Sequence, residues 1–140
     1  MELTETEKAY IAGFLDGEGC ITIFKRNRYK VPLYVPSIQI TNTNQEILKW
    51  IKLKVRKGRI IKLKGESRKS FWKDTYRWIL TNRKDMFEFL KMIFPYLQVK
   101  EKQAFIIFQF KREQNPLSNE KRIIKEKLYQ QMKLLNKKGK

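Results

Sequence analysis

From Ala9 to Leu15 the chain carries no charged side chain, and this run closes with Asp16-Gly17-Glu18-Gly19. A helix with that composition is apolar all round and has to be buried on more than one face. Gly13 and Gly17, four residues apart, strip side chains from one stripe and let a second helix approach closely. The apolar stretch is far too short to cross a bilayer, so its partner is expected to be protein. Asp16 and Glu18 therefore stand where two packed helices end, a place where core packing has no need of carboxylates.

The chain has 140 residues, a length for one domain covering 1–140 with a genuine core. Its 32 Lys and Arg against 14 Asp and Glu leave a formal charge of +18, which calls for a polyanionic partner, with nucleic acid foremost. A membrane partner is not expected, because the basic residues are spread along the chain without an apolar span, signal peptide or lipidation motif. With one Cys and no His, a Cys/His zinc site, a Ser-His-Asp triad and a disulfide framework are all unavailable within a single chain. Hydrolysis by such a chain must use carboxylates, lysines and metal, and Cys20 reads as a small, half-buried strand residue.

Thr4-Glu5-Thr6-Glu7 has the form of a capping box, so the first helix is predicted to begin there and to end near Gly17. Strands at about 20–27 and 33–42 follow, joined by the basic loop Arg28-Tyr29-Lys30 into a hairpin. Thr43-Asn44-Gln45-Glu46 reads as a second capping box, opening a helix with Ile47, Leu48, Ile51 and Val55 on one side. The pattern repeats with strands at 58–65 and 71–81 across the 65–70 turn, and with a helix at 83–94 terminated by Pro95. Helices near 100–113 and 118–136, separated by Asn115-Pro116, complete the chain, the helical tail beginning at about 117. The expected fold class is α+β: an αββαββα order, with a four-stranded antiparallel sheet covered by helices on one face, followed by C-terminal helices.

The uncovered face of that sheet is the candidate surface for nucleic acid. Strand alternation assigns to it Thr22, Phe24 and Arg26 from the first strand and Ser37, Gln39 and Thr41 from the second. Lys62 and Lys64 are assigned there from the third strand, and Thr75, Arg77 and Ile79 from the fourth. Arg28, Tyr29, Lys30 and Arg68 extend the surface through the loops. These side chains include the donors and acceptors that read base edges and phosphates, and a twisted two-stranded ribbon fits a major groove. An ordinary solvated sheet face would show much of the same alternation, although Phe24 is hard to reconcile with solvation alone.

Ile11-Ala12-Gly13-Phe14-Leu15-Asp16-Gly17-Glu18-Gly19 resembles the signature of the LAGLIDADG homing endonuclease family, with Glu18 in place of the last Asp. The likeness extends to the αββαββα order, to a saddle-shaped DNA-reading sheet and to its helical cover. It implies a homodimer with the motif helices side by side, since one signature copy is present. It implies metal-dependent double-strand cleavage of a long, pseudo-palindromic DNA site, promoting mobility of the encoding intron or gene. By the same likeness Glu18 is catalytic and a metal ligand, the Gly17 carbonyl is a second ligand, and Asp16 and Gly13 are structural. Lys100 matches the family's basic residue near the scissile phosphate, and Asn42 a polar residue that orders active-site water. Glu46 falls where relatives often carry Arg and is read here as the acid of its capping box.

Oxygen donors at such a site suit Mg²⁺, for which Mn²⁺ could substitute. The implied location is intracellular, in an organelle matrix or prokaryotic cytoplasm, wherever the host intron resides. Two other readings stay open at this point. One is a catalytically weak relative acting as an intron-RNA splicing maturase or a DNA-binding regulator, and the other is a generic basic RNA-binding protein.

Overall fold

The computed structural model describes residues 2–27, 32–63, 74–110 and 119–137. The loop at 28–30, the 65–70 turn, Lys64, Arg68 and Asn115-Pro116 lie outside the described residues. The elements are α1 (Glu5–Glu18), β1 (Gly19–Arg26), β2 (Leu33–Asn42), α2 (Gln45–Val55), β3 (Arg59–Leu63), β4 (Thr75–Leu80), α3 (Arg83–Ile93), a 3-10 turn (Phe94–Tyr96), α4 (Glu101–Gln109) and α5 (Asn119–Asn136). The strands form one antiparallel sheet in the order β1-β2-β4-β3. This is the α+β arrangement expected from the sequence.

α1 begins at the predicted box: the Thr4 hydroxyl accepts from Glu7 N at 3.1 Å, and Thr4 N donates to Glu7 Oε1 at 2.9 Å. α2 begins one residue later than expected, because Asn44 and not Thr43 is its cap, accepting from Ile47 N at 3.1 Å. Both residue types cap helices, and Asn42 decides between them by accepting from Asn44 N at 2.7 Å and turning the chain there. Glu46 is thus not the acid of a capping box. Its carboxylate instead meets Lys49 at 3.5 Å on the surface.

One face of the sheet is buried under the helices. Ile21 and Ile23 of β1, Ile38 and Ile40 of β2, and Trp78 and Leu80 of β4 meet Ile11 and Leu15 of α1, Leu48 and Ile51 of α2, and Phe89 and Leu90 of α3. Gly58 makes the entry to β3 possible. Its φ is +90°, and a Cβ there would stand 2.7 Å from Trp78 Cε2, so any side chain would push against the indole. Trp78 Nε1 donates to Lys57 O at 3.0 Å, fixing the ring.

This contact fixes the parity of β3 and corrects one expectation. Ile60 lies opposite Trp78 and Lys62 opposite Tyr76, so Lys62 belongs to the helix side and not to the open face. It pairs with Asp74 at 3.2 Å where the sheet edge meets solvent. Arg59, Ile61 and Leu63 take the open face instead. The sequence Arg-Ile-Ile-Lys-Leu puts a basic residue on either side, so alternation alone could not choose.

α5 closes the helical layer over β1. Glu126 Oε1 accepts from Lys25 Nζ at 2.7 Å and from the Tyr34 hydroxyl at 2.5 Å, and Glu126 Oε2 accepts from Gln130 Nε2 at 2.7 Å. Further along, Asn136 Nδ2 donates to Ile21 O at 2.9 Å while its Oδ1 accepts from Gln103 of α4. Leu128 and Met132 supply the buried apolar side of the helix.

Candidate functional site

The end of α1 is built by two constraints. Gly19 begins β1 so close to the helix that a Cβ would lie 2.9 Å from Leu15 O and 3.1 Å from Gln39 O, which requires glycine at that junction. Asp16, one turn earlier, reaches across to the segment that precedes α4. Its Oδ2 accepts from Gln98 N at 2.8 Å and its Oδ1 from Lys100 N at 2.9 Å. The Lys100 ammonium returns to Asp16 O at 2.6 Å, satisfying a carbonyl in the last turn of the helix. Asp16 is therefore engaged in holding two chain segments together, and Lys100 is drawn to the motif from 84 residues away.

Glu18 is exposed at the tip of α1, beside the equally exposed Gly17. β1 starts opposite Ile40, so Asn42, two residues further along β2, lies at the same end of the sheet as Glu18. The side-chain oxygen of Asn42 is held by Asn44 N, which fixes the orientation of its amide. Among the described residues no three His, Cys, Asp or Glu side chains gather as a metal site. The Glu18 carboxylate and the neighbouring Gly17 carbonyl are hard oxygen donors of the kind that could hold Mg²⁺ or Mn²⁺.

The open face carries Cys20, Thr22, Phe24, Arg26, Val35, Ser37, Gln39, Thr41, Arg59, Ile61, Leu63, Thr75, Arg77 and Ile79 in register. Arg77 Nε donates to Thr41 Oγ1 at 3.1 Å, holding the guanidinium across β2 and β4. Two expectations change here. Ser37 is on this face but only 1% exposed, with the Gln39 amide donating to its hydroxyl at 3.1 Å, so Gln39 is the group presented outward. Cys20 is exposed and not half-buried. Arg59 and Ile61 were missed because the parity of β3 was assigned the other way. The signal that could have placed them is Gly58, which brings the chain against Trp78.

One stripe of α1 has no cover among the described residues. Thr6, Ala9, Tyr10, Gly13 and Gly17 are all exposed, while Ile11, Ala12 and Leu15 on the other side are buried. Tyr10 is 51% exposed, resting on Phe14 and edge-on to Trp50. A Cβ at either Gly13 or Gly17 would meet nothing within 4 Å, so the packing of this chain does not require glycine at either place.

The α+β fold, with its helical layer and its one open sheet face, is that of homing endonucleases of known structure. The structure is similar to an archaeal intron-encoded homing endonuclease, I-Vdi141I, complexed with DNA: TM-score 0.80 at 22% identity, covering 97% of this chain and 87% of that one. It is similar to homing endonuclease I-CvuI in complex with DNA in the presence of Mg, with TM-score 0.79 and 20% identity over 97% and 85% of the two chains. Homing endonuclease I-TnaI gives 0.66 and 18% over 96% and 97%. At these identities the likeness establishes the fold. No curated protein matches the chain.

The family model for LAGLIDADG endonucleases matches residues 11–114, and the chain belongs to that family. Its class of activity is accordingly that of a DNA endonuclease. No helix among the described residues is long and apolar enough to cross a membrane.

Proposed function

We propose that this chain works as one half of a symmetric, metal-dependent homing endonuclease that makes a double-strand break at a long, pseudo-palindromic DNA site. The observation that carries the reading is the bare stripe of α1. Gly13 and Gly17 keep side chains away from a surface that the described residues leave open, and a twofold-related α1 would present the same stripe in return. Such a pairing brings two Glu18 carboxylates near the symmetry axis, where their repulsion is relieved by cations.

Within each half, Glu18 and the Gly17 carbonyl would hold a divalent ion, Mg²⁺ by the chemistry of the donors, with Mn²⁺ as substitute. An ion held by Glu18 and the Gly17 carbonyl would supply the charge that polarises a scissile phosphate, favours hydroxide over water and stabilises a leaving oxygen. Lys100 Nζ spends one of its three donors on Asp16 O and can offer the others to a phosphate oxygen, adding countercharge. Asn42, its side-chain oxygen held by Asn44 N, would orient water through its amide nitrogen. Asp16 keeps Lys100 in place. The open sheet would lie against the duplex on either side of the cut, with Arg26, Arg59 and Arg77 as its cations among the described residues.

A maturase or regulator built on the same fold would bind nucleic acid without needing Glu18. Glu18→Gln separates the readings: the variant is expected to retain duplex binding and to lose cleavage. A Glu18→Gln protein that cuts as well as the parent removes the catalytic assignment.

A further inference from the structure

The open face of the sheet is more apolar than a phosphate-binding or solvated surface requires. Ile61, Leu63 and Ile79 occupy its β3–β4 half, and Phe24, Leu33 and Val35 the outer end of its β1–β2 half. Phe24 is 42% and Leu33 50% exposed, and the other four are half-buried. Cations and amides interleave with them across the ladder. One row runs Gln39, Ile79, Arg59, and the next Thr41, Arg77, Ile61. Leu33 stands opposite Arg26.

A partner for this face must be anionic at its rim and present apolar projections at the spacing of a strand ladder. The major groove of a DNA duplex does both: phosphates line its edges, and on its floor the C5-methyl of thymine is the apolar group that protrudes among the hydrogen-bonding edges. Resting on the nuclease reading above, we infer that Ile61, Ile79 and Phe24 determine specificity by packing against thymine methyl groups in each half-site. Arg59, Arg77 and Gln39 hold the neighbouring bases and phosphates. The target is then thymine-rich at the positions beneath these side chains, and the preference is for the methyl group itself.

The test replaces thymine by deoxyuridine, which removes only that methyl. Duplexes bound by the full chain are selected from a randomised library, and the selected duplex is remade with dU at the thymine-enriched positions. Affinity is expected to fall about fourfold for each methyl lost, the effect of one buried methyl-sized group. Ile61→Ser and Ile79→Ser variants are expected to bind the dT and dU duplexes more nearly alike. Equal binding of the two duplexes by the unmodified chain, or selected sites without thymine enrichment, overturns the inference while leaving the nuclease reading intact. Failure to select any preferred duplex removes both.

Discussion

Gly13→Ala is expected to push folding and association in opposite directions. Gly13 lies on the exposed stripe of α1, and a Cβ at that position meets nothing within 4 Å among the described residues. The folded monomer should therefore gain the ordinary helix-propensity difference between glycine and alanine, about 0.8–1 kcal/mol. For a chain of this size that corresponds to a rise in melting temperature of roughly 4 °C. In a symmetric helix pair the same methyl sits between two close-packed backbones, once from each protomer. Overpacking of about 1–3 kcal/mol per intrusion gives about 2 kcal/mol or more per dimer, at least about thirtyfold in the dimer dissociation constant. Thermal melts at low protein concentration report the first effect, and sedimentation across a concentration series reports the second. A variant that is more stable yet associates as tightly as the parent would refute the placement of the interface on this stripe, and so would a variant destabilised at every concentration.

Asp16→Asn should cost about 2 kcal/mol in urea unfolding, because one of its two charge-assisted bonds to the 98–100 backbone is replaced by opposed N–H groups. Cleavage should fall along with stability, since the 98–100 segment that carries Lys100 is held less firmly while its ammonium keeps the Asp16 carbonyl. The Glu126 carboxyl is lowered to about 2 by its hydrogen bonds from Gln130, Lys25 and Tyr34, against the ordinary 4.5. The stability it contributes is fully present above the ordinary value and is lost as pH falls through about 2. Denaturation between pH 5 and pH 2 should accordingly show a steeper acid loss in the parent than in Glu126→Gln, and equal slopes would contradict the assignment.

How far sequence alone reaches is clearest in α1. Its capping box, its uncharged body and its paired carboxylates are local features, and the helix appears where they place it. Strand alternation likewise gave β1, β2 and β4 the correct faces, because each sets isoleucine or tryptophan against polar neighbours. β3 was ambiguous, as either parity buries an isoleucine and exposes a cation, and only the approach of Gly58 to Trp78 decides it. The cap of α2 moved from Thr43 to Asn44 because the choice depends on a bond from Asn44 N to Asn42.

Long-range contacts left no local trace at all. Nothing near Asp16 signals that its carboxylate meets residues 98 and 100, and nothing around Glu126 foretells its meeting with Lys25 and Tyr34. The first of these explains how Lys100, one of many lysines in the chain, comes to stand at the motif. The burial of Ser37 under Gln39 is of the same kind, since it depends on a rotamer that alternation does not specify.

The most direct measurement is cleavage of a randomised duplex library by the purified chain with Mg²⁺, followed by sequencing of the cut ends. Two Glu18 carboxylates acting about a twofold axis should yield paired cuts on opposite strands, at a fixed stagger, inside half-sites that mirror each other. Cuts confined to one strand, or scattered ends with no mirrored flanks, would contradict the account.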